Sequence, residues 1–97
     1  QTEYYAGKCM VEATACSYDA GESVLLNAAS CKLYCTEMVG RVADRAVQVH
    51  GGAGYISEYC VERFYRDVRL FRLYEGTSQI QQLVIAKQII RNAENAL

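Results

Sequence analysis

Apolar side chains recur at helical spacing along the whole chain, and no proline interrupts them. Proline removes a backbone donor and clashes with the preceding turn, so its absence leaves long helices unbroken. β-Branched runs are rare, and the periodicity is helical throughout. Tyr5, Cys9, Ala13, Cys16 and Ala20 form the stripe of a first helix that Gly21 ends. Asp19 or Ser23 is placed to cap the next helix, with Glu22 positioned for a capping box from Asp19. A long second helix is expected from about Ser23 to Val49, where Leu25, Ala28, Cys31, Cys35, Val39, Val42 and Ala46 share a face. Glu37, Arg41 and Arg45 form an opposing charged row. Gly51-Gly52-Ala53-Gly54 stops that helix, and Ser57 to Tyr59 leads into a shorter one with Val61, Phe64, Tyr65 and Val68 on its apolar face. Leu70 to Tyr74 is apolar and of undecided form. Glu75-Gly76 breaks the pattern, and Thr77 or Ser78 caps a last helix carrying Ile80, Leu83, Val84, Ile89, Ile90 and Ala93. The expected fold is all-α: an antiparallel up-and-down helical bundle of three long helices and one short one.

A chain of 97 residues buries only about 60–65% of its unfolded surface, so partner surfaces are expected. Three long helices also leave an apolar groove that another helix or chain can fill. The composition, 52% hydrophobic and 22% charged, is that of a globular protein. A net charge of -1 without a basic cluster argues against nucleic acid as partner. The longest aliphatic runs, such as Leu83-Val84-Ile85-Ala86, are too short to span a bilayer, and no signal peptide stands at this N-terminus. The chain begins with Gln1 rather than Met, which suggests a fragment or a processed product. Five cysteines, Cys9, Cys16, Cys31, Cys35 and Cys60, read as reduced thiols acting as small core hydrophobes. His50 is the only histidine, so no metal site is expected.

Three segments can carry chemistry. In Gln48-Val49-His50-Gly51-Gly52-Ala53-Gly54-Tyr55 the glycines serve either a helix stop or a close ligand approach. Gly52-Ala53-Gly54 opens like G-x-G-x-x-G, but Ser57 and the preceding helix exclude a Rossmann site. His50 could be a base or a satisfied turn residue. In Val61-Glu62-Arg63-Phe64-Tyr65-Arg66-Asp67, Glu62 with Arg66 and Arg63 with Asp67 read as i,i+4 pairs of a solvated face. In Tyr74-Glu75-Gly76-Thr77-Ser78-Gln79, Glu75 stands just before a helix N-terminus. It is either an exposed or capping carboxylate or, if it faces a cleft, a proton-abstracting base.

These three segments, in this order and spacing, with Ile80 and Gln81 extending the third, closely resemble the C-terminal domain of acyl-CoA dehydrogenases. The resemblance covers essentially the whole chain. It implies the last three long helices of a four-helix bundle, in a protein that also has an N-terminal helical domain and a middle β-domain. It implies homo-oligomers, usually tetramers built as dimers of dimers, with FAD bound at the subunit interface. Glu75 matches the base that removes the α-proton of an acyl-CoA thioester, the β-hydrogen leaving as hydride to give a trans-2-enoyl-CoA. The backbone N–H at the Glu75 position and a flavin hydroxyl would bind the thioester oxygen, and Tyr74 and Gly76 would line the substrate site. Gln48, Val49, His50, Gly51 and Gly52 match the stretch touching the ADP half of the neighbouring subunit's FAD. Thr77, Ser78 and Gln79 match a second FAD-contacting stretch, where helix N-terminal N–H groups meet phosphate or ribose oxygens.

Many members have Glu in place of Gln79 and Pro in place of Cys60. Some branches carry the base on an earlier helix and have Gly or Ala at the Glu75 position. The expected function is therefore acyl-CoA dehydrogenation with an electron-transferring flavoprotein as acceptor, in bacterial cytoplasm or the mitochondrial matrix. An acyl-CoA oxidase and a non-catalytic helical oligomerisation module are the alternatives. The 97 residues alone are expected to be inactive, because the flavin-ring and substrate walls would come from other segments.

Overall fold

The computed structural model describes residues 1–97, which form four α-helices joined by short turns. Helix α1 spans Thr2–Asp19, α2 Leu25–His50, α3 Val61–Arg69 and α4 Ser78–Asn95. Turns of 3₁₀ helix occupy Gly51–Tyr55, Ser57–Tyr59 and Leu70–Arg72, the last giving a form to the apolar stretch after α3. The expected all-α bundle of three long helices and one short one is what the chain forms. No helix is long and apolar enough to cross a membrane.

Helix α2 is the hub. At 26 residues it is about 39 Å long, and α1, α3 and α4 all pack on it. Every residue from Ala29 to Gly40 is buried or only partly exposed, so the middle of α2 is largely covered. The expected charged row is kept in part, since Arg41 and Arg45 are exposed and Glu37 is half-buried. Glu37 turns to α4 and the turn before it, while Arg41 and Arg45 reach across to Glu3 of α1 at 3.3 and 3.4 Å.

Several local expectations also give way. Helix α1 docks through Ala6, Gly7, Met10, Thr14 and Ser17, and the expected stripe of Tyr5, Cys9, Ala13, Cys16 and Ala20 is exposed. Both faces of α1 carry small or apolar residues, so spacing alone does not choose between them. Buried Gly7 against Cys35 and Met38, and the Thr14 hydroxyl 3.3 Å from Cys31 Sγ, make the observed choice. In α4, Ser78, Gln81, Val84, Ile85 and Gln88 form the covered face, while Ile80, Leu83, Ile89, Ile90 and Ala93 stay exposed. Neither Asp19 nor Ser23 caps α2, which starts from Val24 without a side-chain cap. The pairs Glu62–Arg66 and Arg63–Asp67 do not form, and Phe64 is exposed. Cys60 stands at φ 64 as N-cap of α3, a conformation closed to proline, so this chain enters α3 by a route a prolyl residue could not take.

The result is an open layer rather than a closed core. The principal extents are 57 × 24 × 19 Å, and the radius of gyration is 16.6 Å. A compact domain of this length would measure about 13 Å. Helices α1 and α4 flank a groove of about 630 Å³ floored by Leu33, Tyr34 and Glu37 of α2.

Docking of α4 on α2 is polar at its first turn. Buried Ser78 donates its hydroxyl to Glu37 Oε1, and Arg72 Nη1 lies 3.4 Å from Glu37 Oε2. The Ser78 hydroxyl, and then the Arg72 charge, hold the Glu37 carboxyl below the usual range against the opposing effect of burial. A depressed folded value stabilises above the unfolded value of about 4.3 and is lost as pH falls through the folded one. Thermal unfolding followed from pH 7 to 3 should therefore show a loss of stability below about pH 4 that is smaller in Glu37→Gln. Parallel profiles for the two proteins would refute this contribution.

Candidate active site

The turn between α3 and α4 is built from backbone constraints. Tyr74 N–H and Leu73 N–H both donate to Leu70 O, which ends the 3₁₀ segment. Glu75 then adopts φ 53 and Gly76 φ 84, two successive left-handed residues that reverse the chain. The left-handed conformation at a residue with a Cβ costs about 1–2 kcal/mol. At Gly76 the positive φ is what disfavours a side chain, since the nearest atom to its Cβ, Gln81 Nε2 at 2.5 Å, is the movable end of a flexible side chain. Thr77 caps α4 as expected, its Oγ1 accepting from Ile80 N–H at 3.2 Å.

Three carbonyls of this turn are held by side chains. The Lys32 ammonium, partly buried on α2, donates to Phe71 O at 2.7 Å and to Gly76 O at 2.6 Å. Gln81 Nε2 donates to Glu75 O at 3.1 Å. Hydrogen bonds to a charged group contribute about 1.5–3 kcal/mol each. The two from Lys32 alone therefore outweigh the strain at Glu75. The ring of Phe71 stacks on Tyr74 at 5.8 Å.

Glu75 itself is exposed, and its carboxylate has no hydrogen bond or ion pair within the chain. Its backbone N–H also lacks an acceptor. Tyr74 is exposed beside it. The N–H groups of Ser78 and Gln79, at the start of α4, are likewise free, as the first turn of a helix leaves them. The Ser78 hydroxyl is not free, being held by Glu37, and Ser78 as a whole is buried, whereas Gln79 is exposed.

The second segment lies elsewhere. Gln48, Val49 and His50 end α2 and Gly51 and Gly52 begin the next turn, all of them exposed. His50 Nδ1 lies 2.8 Å from Ala46 O, which satisfies it as a turn residue. From Glu37, beside the Glu75 turn, to His50 the helix runs about 20 Å, so the two segments of one chain do not form one site. The glycines here divide by purpose. A Cβ on Gly54 would lie 2.5 Å from Val47 O, so the fold itself requires that glycine. A Cβ on Gly52 would meet nothing within 4 Å, so packing in this chain does not.

Sequence reasoning missed Lys32. It sits among apolar residues with Ala28 and Thr36 at i±4, so it lacks the local acidic partner a solvated helix lysine often has. That was the available signal.

The profile of the acyl-CoA dehydrogenase C-terminal domain matches residues 1–90. The chain is 43% identical over 90 residues to a subunit of the caffeyl-CoA reductase–Etf complex of Acetobacterium woodii, covering 93% of this chain and 24% of that protein. It is 37% identical over 92 residues to cyclohexane-1-carbonyl-CoA dehydrogenase of Geobacter metallireducens, covering 95% of this chain and 24% of that protein. The solved structure of butyryl-CoA dehydrogenase from Megasphaera elsdenii superposes with a TM-score of 0.89 at 32% identity, over 92% of this chain and 23% of that one. The chain thus spans about a quarter of the length of these relatives. Over that span the motifs, the fold and the identity agree: the chain belongs to the acyl-CoA dehydrogenase family, within its C-terminal domain.

Proposed function

We propose that the protein containing these residues is a flavin-dependent acyl-CoA dehydrogenase in which Glu75 is the base. The observation that carries this reading is the pairing, on one residue, of a carboxylate and a backbone N–H that both lack partners in the chain. A weak carbon acid needs both. The carboxylate takes the α-proton while the N–H donates to the thioester oxygen, which gains enolate character as the proton leaves. The chemistry that FAD would supply when bound is acceptance of the β-hydrogen as hydride, which would leave a Cα–Cβ double bond. Tyr74 and Gly76 flank the acyl-CoA on either side of Glu75.

The residues present fit such a cofactor. The free N–H of exposed Gln79, in the first turn of α4, suits a phosphate or ribose oxygen, and open Gly52 suits a close backbone approach. The distance between the two segments favours their serving different FAD molecules, so an oligomer with FAD at the subunit interface is part of the proposal. An electron-transferring flavoprotein is the proposed electron partner.

The direction of the reaction is a second question, because the relative from Acetobacterium woodii is named a reductase. In reduction Glu75 would be protonated and return the proton to Cα, so its role survives reversal. Comparing reduction of an enoyl-CoA with oxidation of the acyl-CoA, each with the flavoprotein carrier, decides between the directions. Peroxide release in air would instead point to an acyl-CoA oxidase.

Two outcomes are expected. In the full-length protein, Glu75→Gln should slow anaerobic flavin bleaching by acyl-CoA by about 10²–10⁴-fold with FAD still bound. Bleaching at the wild-type rate would sink the base assignment. Gly52→Ala should weaken FAD retention while leaving thermal stability of the apoprotein unchanged, whereas Gly54→Ala should lower stability by about 1 kcal/mol or more. Full FAD retention in Gly52→Ala would remove that residue from the cofactor site.

A further inference from the structure

We infer that Lys32 is a positioning residue for the base, holding the Glu75 turn in its reactive shape from the neighbouring helix. This rests on the reading of Glu75 as base. The ammonium donates to Phe71 O at 2.7 Å and to Gly76 O at 2.6 Å, so it binds the turn once before and once after Glu75. Leu73, Tyr74 and Glu75 between those anchors are exposed. The turn therefore has little apolar packing of its own to fix it, and φ 53 at Glu75 is a conformation that a loose turn would leave.

The charge also suits the place. Both carbonyls are acceptors left over by the end of a 3₁₀ segment and by a reversal, and neither has another donor in the chain. One ammonium has three donors and satisfies both at once. Lys32 is itself half-buried on the largely covered part of α2, with its backbone carbonyl accepting from the Thr36 hydroxyl at 2.7 Å. Glu37, just over one turn further along α2, holds Ser78 and Arg72. The base turn is thus referenced to α2 rather than to α3 or α4, which fixes the Glu75 carboxylate and N–H relative to the bundle. Lys32 touches neither proton nor thioester in this role; it acts through the backbone.

The test uses the full-length, FAD-loaded protein and the straight-chain acyl-CoA that the wild type oxidises fastest. Lys32→Met keeps the stem and removes the donors. It should lower the rate of flavin bleaching at saturating substrate by roughly 10- to 100-fold, as a small misplacement of a reacting group does, while KM moves about threefold or less. Amide hydrogen exchange should rise in residues 71–78 and stay unchanged in α1. Lys32→Arg, which keeps the charge and donors, should recover part of the rate, and Lys32→Gln should recover less. If Lys32→Met does not accumulate, the order of Arg above Gln in rate and in exchange protection of residues 71–78 carries the test. Wild-type bleaching in Lys32→Met, exchange rising equally throughout the helices, or Gln equalling Arg would overturn the assignment. Wild-type bleaching in Glu75→Gln would instead overturn the base reading, and the exchange of residues 71–78 would still report on the lysine.

Discussion

The attachment of the segment 71–78 to the middle of α2 is the constraint on which the rest of the site depends. Two side chains of α2 make it. Lys32 holds the carbonyls of Phe71 and Gly76, and Glu37 holds the hydroxyl of Ser78 and the guanidinium of Arg72. Between them they set where α3 ends, where α4 begins and how the chain reverses. Apolar burial could not do this alone, since only six residues of the chain are buried and none is in the reversal between Arg72 and Thr77. A charge-assisted contact is directional and works at a half-exposed position, where area-based burial contributes little. The same features make Glu37 sensitive to acid, because its carboxyl gains its low pKa from the contacts that fix α4.

What could be read from the sequence was what is local. The four helices, the stop after His50 and the Thr77 cap depend on residues within a turn or two, and they stand where spacing put them. The docking faces did not follow. Helices α1 and α4 each carry apolar residues on more than one face, and the choice was made by shape and by polar contacts across the sequence. Gly7 meets Cys35, and Glu3 meets Arg41 and Arg45. The expected charged row on α2 holds only in part for the same reason: Arg41 and Arg45 stay exposed, while Glu37 is drawn to Ser78 and Arg72 of the following segment. Charge pattern along one helix cannot reveal that. At the candidate site, ordered motifs singled out Glu75, but no motif marked the lysine that holds its turn, because Lys32 and Gly76 are 44 positions apart.

The exposed second faces have a physical consequence of their own. Leu83 and Ile90 on α4 and Tyr5 on α1 are well over half exposed or close to it, and the molecule is longer than a compact domain of its size. Hydrophobic stabilisation scales with apolar area removed from water, so these helices gain most when another surface covers them. The groove between α1 and α4 is lined by both apolar and polar residues, Ile85 and Met10 beside Glu37, Arg41 and Gln82. A covering surface would have to satisfy those polar groups as well as bury the apolar ones, which makes the fit more selective than a plain greasy contact.

Glu75 shows what such covering means for chemistry. A carboxylate in water is a poor base toward a C–H bond, because hydration stabilises the anion it would have to spend. In this chain Glu75 is exposed, and neither Tyr74 nor Leu73 folds over it. The residues here therefore supply direction. The left-handed turn aims the carboxylate and the N–H, and Lys32 and Gln81 keep that aim against the strain of φ 53. On the reading of Glu75 as base, its strength comes when substrate and cofactor displace water around it, and binding energy from the distant acyl-CoA groups is what drives that displacement. On that reading orientation is built into this bundle in advance, while reactivity would be conferred only when the ligands arrive.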